Sequence, residues 1–121
     1  MPGLKAVGGR RRETRYRAAE QRVWVEWWSD GEFNGLSGQL LNISRGGAMV
    51  VIGASLGDEQ RLMLLIEDVA GVWVEAVVRA ATPSRGGVYQ TRLEFLDPCP
   101  PEFLEAAACG FEAWLGGGRR P

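Results

Sequence analysis

Leu36-Ser37-Gly38-Gln39-Leu40-Leu41-Asn42-Ile43-Ser44-Arg45-Gly46-Gly47-Ala48-Met49-Val50-Val51-Ile52 reads as strand, bend, strand. Leu36 to Asn42 and Ala48 to Ile52 are short apolar-rich runs of strand length. Between them Ile43-Ser44-Arg45-Gly46-Gly47 carries the Ser and Gly residues that turn a chain. Two such runs joined by a few residues pair antiparallel, because a parallel pair needs a long crossover.

The same grammar extends in both directions. Upstream, Arg22 to Trp28 is a strand with Val23, Val25 and Trp27 on one face by the period of two, closed by the turn Ser29-Asp30-Gly31. Downstream, Arg61 to Ile66 is nearly all apolar, and its length favours a strand over a helix. Val72 to Ala80 follows, with Val72, Val74, Ala76 and Val78 inward and Trp73, Glu75 and Arg79 outward. Thr82-Pro83-Ser84-Arg85-Gly86-Gly87 turns the chain into Val88 to Phe95, where Tyr89, Thr91, Leu93 and Phe95 share a face opposite Gln90, Arg92 and Glu94. After Asp97-Pro98-Cys99-Pro100-Pro101 the period changes: Leu104, Ala107, Ala108, Phe111 and Leu115 recur at helical spacing, and Gly116 ends the run. The expected fold is mainly β, a six-stranded antiparallel barrel with a C-terminal α-helix, closed because closure removes exposed edges. Residues 1–9 and 116–121 read as disordered ends, and 10–115 as one domain.

Composition narrows the function. A chain of 121 residues, 45% hydrophobic and 24% charged, can bury one core. No apolar run approaches the ~18 residues of a membrane span, and the first residues lack the apolar stretch of a signal peptide, so a cytoplasmic protein without membrane insertion is expected. The absence of histidine excludes Ser-His-Asp and Cys-His nucleophile systems and His-based metal sites. Cys99 and Cys109, ten apart, make neither a thiolate metal site nor a disulfide framework. No acidic pair is marked by its spacing, so the chain reads as a non-enzyme.

The net charge of −1 hides an asymmetry. Residues 1–22 hold seven Lys or Arg against two Glu, a charge of +5; the remainder holds seven Arg against thirteen acids, −6. A basic arm, almost all Arg, precedes an acidic body. The planar guanidinium fork suits phosphate and the O6/N7 edge of guanine.

Within that arm, Arg11-Arg12-Glu13-Thr14-Arg15 gives RxxxR just before the first strand, and Asn42-Ile43-Ser44-Arg45-Gly46-Gly47 gives NxSxxG between the second and third. Each half alone is common. Their order, spacing and β context together resemble the PilZ domain, a bacterial receptor module for cyclic di-GMP. The closing strand Arg92-Leu93-Glu94-Phe95-Leu96-Asp97 is similar to the family's last strand, and the resemblance covers roughly residues 10 to 115.

The resemblance implies a split barrel with a flexible basic arm and a cyclic di-GMP site made of Arg10, Arg11, Arg15, Asn42, Ser44, Gly46 and Gly47. No cofactor or metal is implied. Arg11 and Arg15 would pair with phosphate oxygens or fork onto guanine, and Asn42, where family members often carry Asp, would accept from guanine N–H. Ser44 would donate to the ligand, and Gly46 and Gly47 would supply positive φ and close backbone approach. In the family, the position of Arg10 is associated with the number of ligand molecules bound. Trp73 and Arg92, outward by alternation, are candidate secondary contacts. The arm would order over the ligand and change the surface offered to a downstream protein, and five tryptophans leave room for an apolar interface such as a homodimer. Two rival readings are a PilZ-like interaction module that binds no nucleotide and a small barrel using its arm on RNA or DNA. The acidic body counts against the latter.

Overall fold

Asp30 and Gly31 reverse the chain with φ of 54° and 76°, the left-handed pair of a tight two-residue hairpin. They join β1 (Tyr16–Ser29) to β2 (Glu32–Ile43). The computed structural model describes residues 16–67, 71 and 73–107, with side chains from residue 21 onward. Within this span follow β3 (Gly47–Ile52), β4 (Arg61–Ile66), β5 (Trp73–Pro83), β6 (Tyr89–Phe95) and a short helix α1 (Pro101–Ala107).

The six strands close into a barrel in the order β1-β2-β3-β6-β5-β4, every neighbouring pair antiparallel. Inward side chains fill it: Val23, Val25, Leu40, Val50, Leu64 and Val78 are fully buried. Trp27 belongs to this core, on the face the alternation assigns it. Phe103 of α1 plugs the barrel, packing edge-on against Phe95 with ring centroids 6.4 Å apart and planes at 74°.

The structure departs from the simple alternation in three places. β1 and β2 are longer than their apolar runs, because their pairing continues to Ser29↔Glu32 at the hairpin turn. A register shift between Leu40 and Asn42 puts Leu40 and Ile43, three apart, both in the core. A second shift between Val78 and Ala80 lies beside Val77 and Val78, adjacent in the chain and both buried. Outside the barrel, the loop before β4 packs along β5 there, with Glu59 N–H donating to Val78 O at 2.8 Å. In α1, Phe103 and Ala107 are buried and Leu104 is half-buried. The stripe therefore includes Phe103, which the periodicity from Leu104 onward omits; Ala108, Phe111 and Leu115 lie outside the described residues.

Candidate ligand-binding site

The NxSxxG segment forms the turn from β2 into β3. Ser44 N–H donates to Gly47 O at 2.8 Å. The Ser44 hydroxyl accepts from Gly46 N–H at 3.3 Å and lies 3.5 Å from Gly47 O. Ser44 is only 2% exposed, so this hydroxyl faces the turn's own backbone. The end of β6 and the segment after it brace the turn from the other side: Phe95 N–H donates to Gly46 O and Cys99 N–H to Arg45 O, each at 2.8 Å. Burial, and secondarily Glu102, push the Cys99 thiol up to about 12.

Gly46 and Gly47 do not take positive φ; among the described glycines that conformation belongs to Gly31, Gly71, Gly86 and Gly87. This corrects the first expectation for the pair. Gly47 is needed for a different reason: a Cβ there would run into the carbonyl oxygen of Leu93 on β6. The close approach is between strands, and it seats the turn against β6.

The bulge before Asn42 has a consequence for the surface. Ile43 pairs with Ala48 inside the barrel, so Asn42 and its partner Met49 point outward, and Met49 in turn pairs with Arg92. Asn42, Met49 and Arg92 thus form a row across β2, β3 and β6. At ~4.8 Å per strand, Asn42 and Arg92 stand about 10 Å apart with Met49 between them. On its other side Asn42 pairs with Arg17, and Ile43 with Tyr16, the first described residue of β1. Arg10, Arg11 and Arg15 lie outside the described residues.

Electrostatics sort the arginines of this surface. Arg79 donates to Glu94 and to Glu59, both at 2.6 Å, and these partners, Glu94 first, raise its pKa above the ordinary value. Its charge is already matched. Arg92 and Arg45 are exposed and make no ion pair among the described residues. Arg92 thus stands at the far end of the Asn42 row and Arg45 in the turn that follows Asn42, both without a carboxylate partner among the described residues. Arg45 and Met49 were not singled out from the sequence. Met49 could have been, because it alternates with Ala48 and Val50, both of which the structure buries.

Trp73 stands elsewhere. It is 50% exposed and pairs with Leu65, which pairs with Trp24, a separate row across β5, β4 and β1. The structure does not bring it to the Asn42 row. Among the described residues no group of three or more His, Cys, Asp or Glu could hold a metal ion, and no helix is long and apolar enough to cross a membrane.

A search of curated proteins by sequence returned no match. Solved structures share the fold. The Bacillus subtilis inhibitor of motility (MotI/DgrA) superimposes with a TM-score of 0.61 at 22% identity, covering 89% of this chain and 52% of that one. MrkH of K. pneumonia, in complex with c-di-GMP, gives 0.60 at 17%, covering 92% and 54%. The PilZ domain of YcgR from Escherichia coli, also with c-di-GMP, gives 0.61 at 13%, covering 91% and 97%. The chain spans about half the length of the first two proteins and nearly all of the isolated YcgR domain. In sequence, residues 9–106 match the model of the PilZ domain. Barrel and sequence match agree: this chain belongs to the PilZ domain family.

Proposed function

We propose that this chain is a cyclic di-GMP receptor without catalytic activity, its ligand lying across the outer row Asn42–Met49–Arg92 and clasped by Arg10, Arg11 and Arg15. The observation that carries the reading is the strand register. Tyr16↔Ile43 and Arg17↔Asn42 set the start of β1, which follows RxxxR directly in sequence, beside the NxSxxG turn, and this supports a site shared by the two motifs. The two c-di-GMP complexes among the fold neighbours support the ligand class.

The chemistry fits each part. Cyclic di-GMP carries two phosphodiester charges and two guanine edges rich in acceptors. Arg11 and Arg15 meet phosphate or guanine O6/N7 with charge-assisted, two-pronged hydrogen bonds. Asn42 accepts from guanine N–H, Met49 offers a polarizable floor under a base, and Arg92 closes the far end of the row. Ser44, Gly46 and Gly47 act by shaping the turn that carries Asn42 and Arg45. Arg10 adds the charge that a second, stacked ligand would need. Trp73 has no part in this site. Closure of the arm over the ligand alters the surface that a downstream cytoplasmic protein reads.

Isothermal titration with cyclic di-GMP, against GMP and cyclic di-AMP, tests the assignment. Saturable heat with the guanine dinucleotide alone is expected, and its molar ratio reports one ligand or a stacked pair. Arg11→Ala and Arg15→Ala should each lose on the order of 2–5 kcal/mol of binding, more than tenfold in affinity. Undiminished affinity in both variants defeats the site. No heat at high micromolar ligand would replace the receptor with a nucleotide-free interaction module on the same fold.

A further inference from the structure

The β1–β2 hairpin runs past the barrel it helps to close. β1 pairs with β4 only from Val23 to Glu26, and β2 with β3 only from Gly38 onward, so the tip around Asp30 is a two-stranded projection. On it Trp28 and Phe33 face each other across the strands, with centroids 5.3 Å apart and rings tilted by 59°. They remain 62% and 56% exposed, the two most exposed large apolar side chains among the described residues. Beside them is a cleft of about 280 Å³ that reaches Met63 and is edged by Glu26 and Glu75. That is the lower edge of the usual ~300–1,000 Å³ of small-molecule sites, and it leaves room for a side chain of a larger partner.

The charge around this aromatic pair chooses the partner. Glu26, Asp30 and Glu32 have no cationic partner among the described residues, and Arg61 is already set against Glu75 at 3.8 Å. Glu26 is held in place by the Trp24 indole N–H at 2.8 Å. Uncompensated carboxylates repel nucleic acid, an anionic membrane and a second copy of the same tip. They attract Lys and Arg, which also stack on aromatic faces. Gln60 donates to Trp28 O at 3.0 Å and occupies that part of the backbone edge, so recognition here works through side chains.

We propose that the tip of the β1–β2 hairpin docks a cationic segment of a partner protein, with an apolar side chain of that segment seated against Trp28, Phe33 and Met63. Asn42 and Phe33 are nine residues apart on β2, about 30 Å at ~3.4 Å per residue, so the tip stays free when the Asn42 row is covered. The inference stands whether or not the chain binds a nucleotide.

The probe is a short synthetic peptide of alternating Arg and Leu with a central Trp, and its counterpart with Glu for Arg. Each is titrated into the full ¹⁵N-labelled chain at physiological ionic strength, without nucleotide. Expected are perturbation of the Trp28 indole N–H and its neighbours by the Arg peptide, no binding of the Glu peptide, and at least tenfold weaker binding to Trp28→Ala and to the double variant Glu26→Gln, Glu32→Gln. Phe33→Ala serves the same purpose should Trp28→Ala not fold. Unchanged affinity in the folded variants, or perturbations that avoid the tip, would overturn the proposal. So would a dimer in sedimentation equilibrium that Trp28→Ala dissolves, since the tip would then be covered by a second copy.

Discussion

Gly47 and Cys99 show how single residues hold the NxSxxG turn. A Cβ on Gly47 meets the Leu93 carbonyl, a backbone atom that cannot step aside without opening the β3–β6 ladder. Gly47→Ala should cost about 1–3 kcal/mol, the range for overpacking, while Gly53→Ala, whose Cβ meets nothing within 4 Å, should fall within about 0.5 kcal/mol of the parent. Urea denaturation of the two variants checks the contrast. Cys99 is buried beneath the turn with its backbone tied to Arg45, and its pKa is pushed up from the ordinary 9.0 to about 12. The unfolded chain thus releases this proton at lower pH than the folded one. Its contribution to stability is complete below pH 9.0 and is lost as pH rises toward about 12. Alkylation of Cys99 at pH 8 should accordingly be slow in the native protein and fast in urea, followed by mass spectrometry.

At the scale of elements, the bulge in β2 and the helix behind the barrel share the task of presenting the site. Without the register shift at Leu40/Asn42, alternation from Leu40 would turn Asn42 inward, and the row with Met49 and Arg92 would not exist. α1 keeps the barrel filled: Phe103 is fully buried and meets Phe95, whose N–H holds the turn at Gly46. Phe103→Ala should destabilise the fold by about 3–5 kcal/mol, read from denaturation midpoints. Because Phe95 couples the helix to the turn, the same variant should broaden the amide resonances of residues 44 to 47 before global unfolding.

At the scale of the molecule, charge is divided between regions. β1 begins beside the Asn42 row, with Arg17 opposite Asn42, and Arg45 and Arg92 lack carboxylate partners among the described residues. Arg79 of β5 is matched by Glu94 of β6 and by Glu59 of the loop before β4, one cation between two carboxylates, and the hairpin tip carries excess negative charge. The proposed anionic ligand and the proposed cationic partner thus fall on separate parts of the surface. Cyclic di-GMP at a hundred times its dissociation constant should stabilise the native state by about 2.7 kcal/mol, seen as a rise in melting temperature. Added salt should shrink that rise, because the proposed contacts are ionic. A rise equal with cyclic di-AMP would speak against guanine-edge recognition.

What the sequence by itself determined is what depends on neighbours along the chain. The period of two in Val23, Val25 and Trp27, and in Thr91, Leu93 and Phe95, marked the inward faces, since a pleated strand alternates whatever it pairs with. Asp30-Gly31 marked the hairpin, and RxxxR with NxSxxG marked the family. Only the tertiary structure decided which outward residues meet. Arg92 joins Asn42 and Trp73 does not, because strand order and register are set by pairing between distant segments. It also decided that Gly47 serves a close approach of strands and not a left-handed turn, that Arg79 is matched while Arg92 is not, and that Phe103 completes the core. Each of those depends on an atom from another strand or loop arriving within a few ångströms, and local pattern carries no record of that arrival.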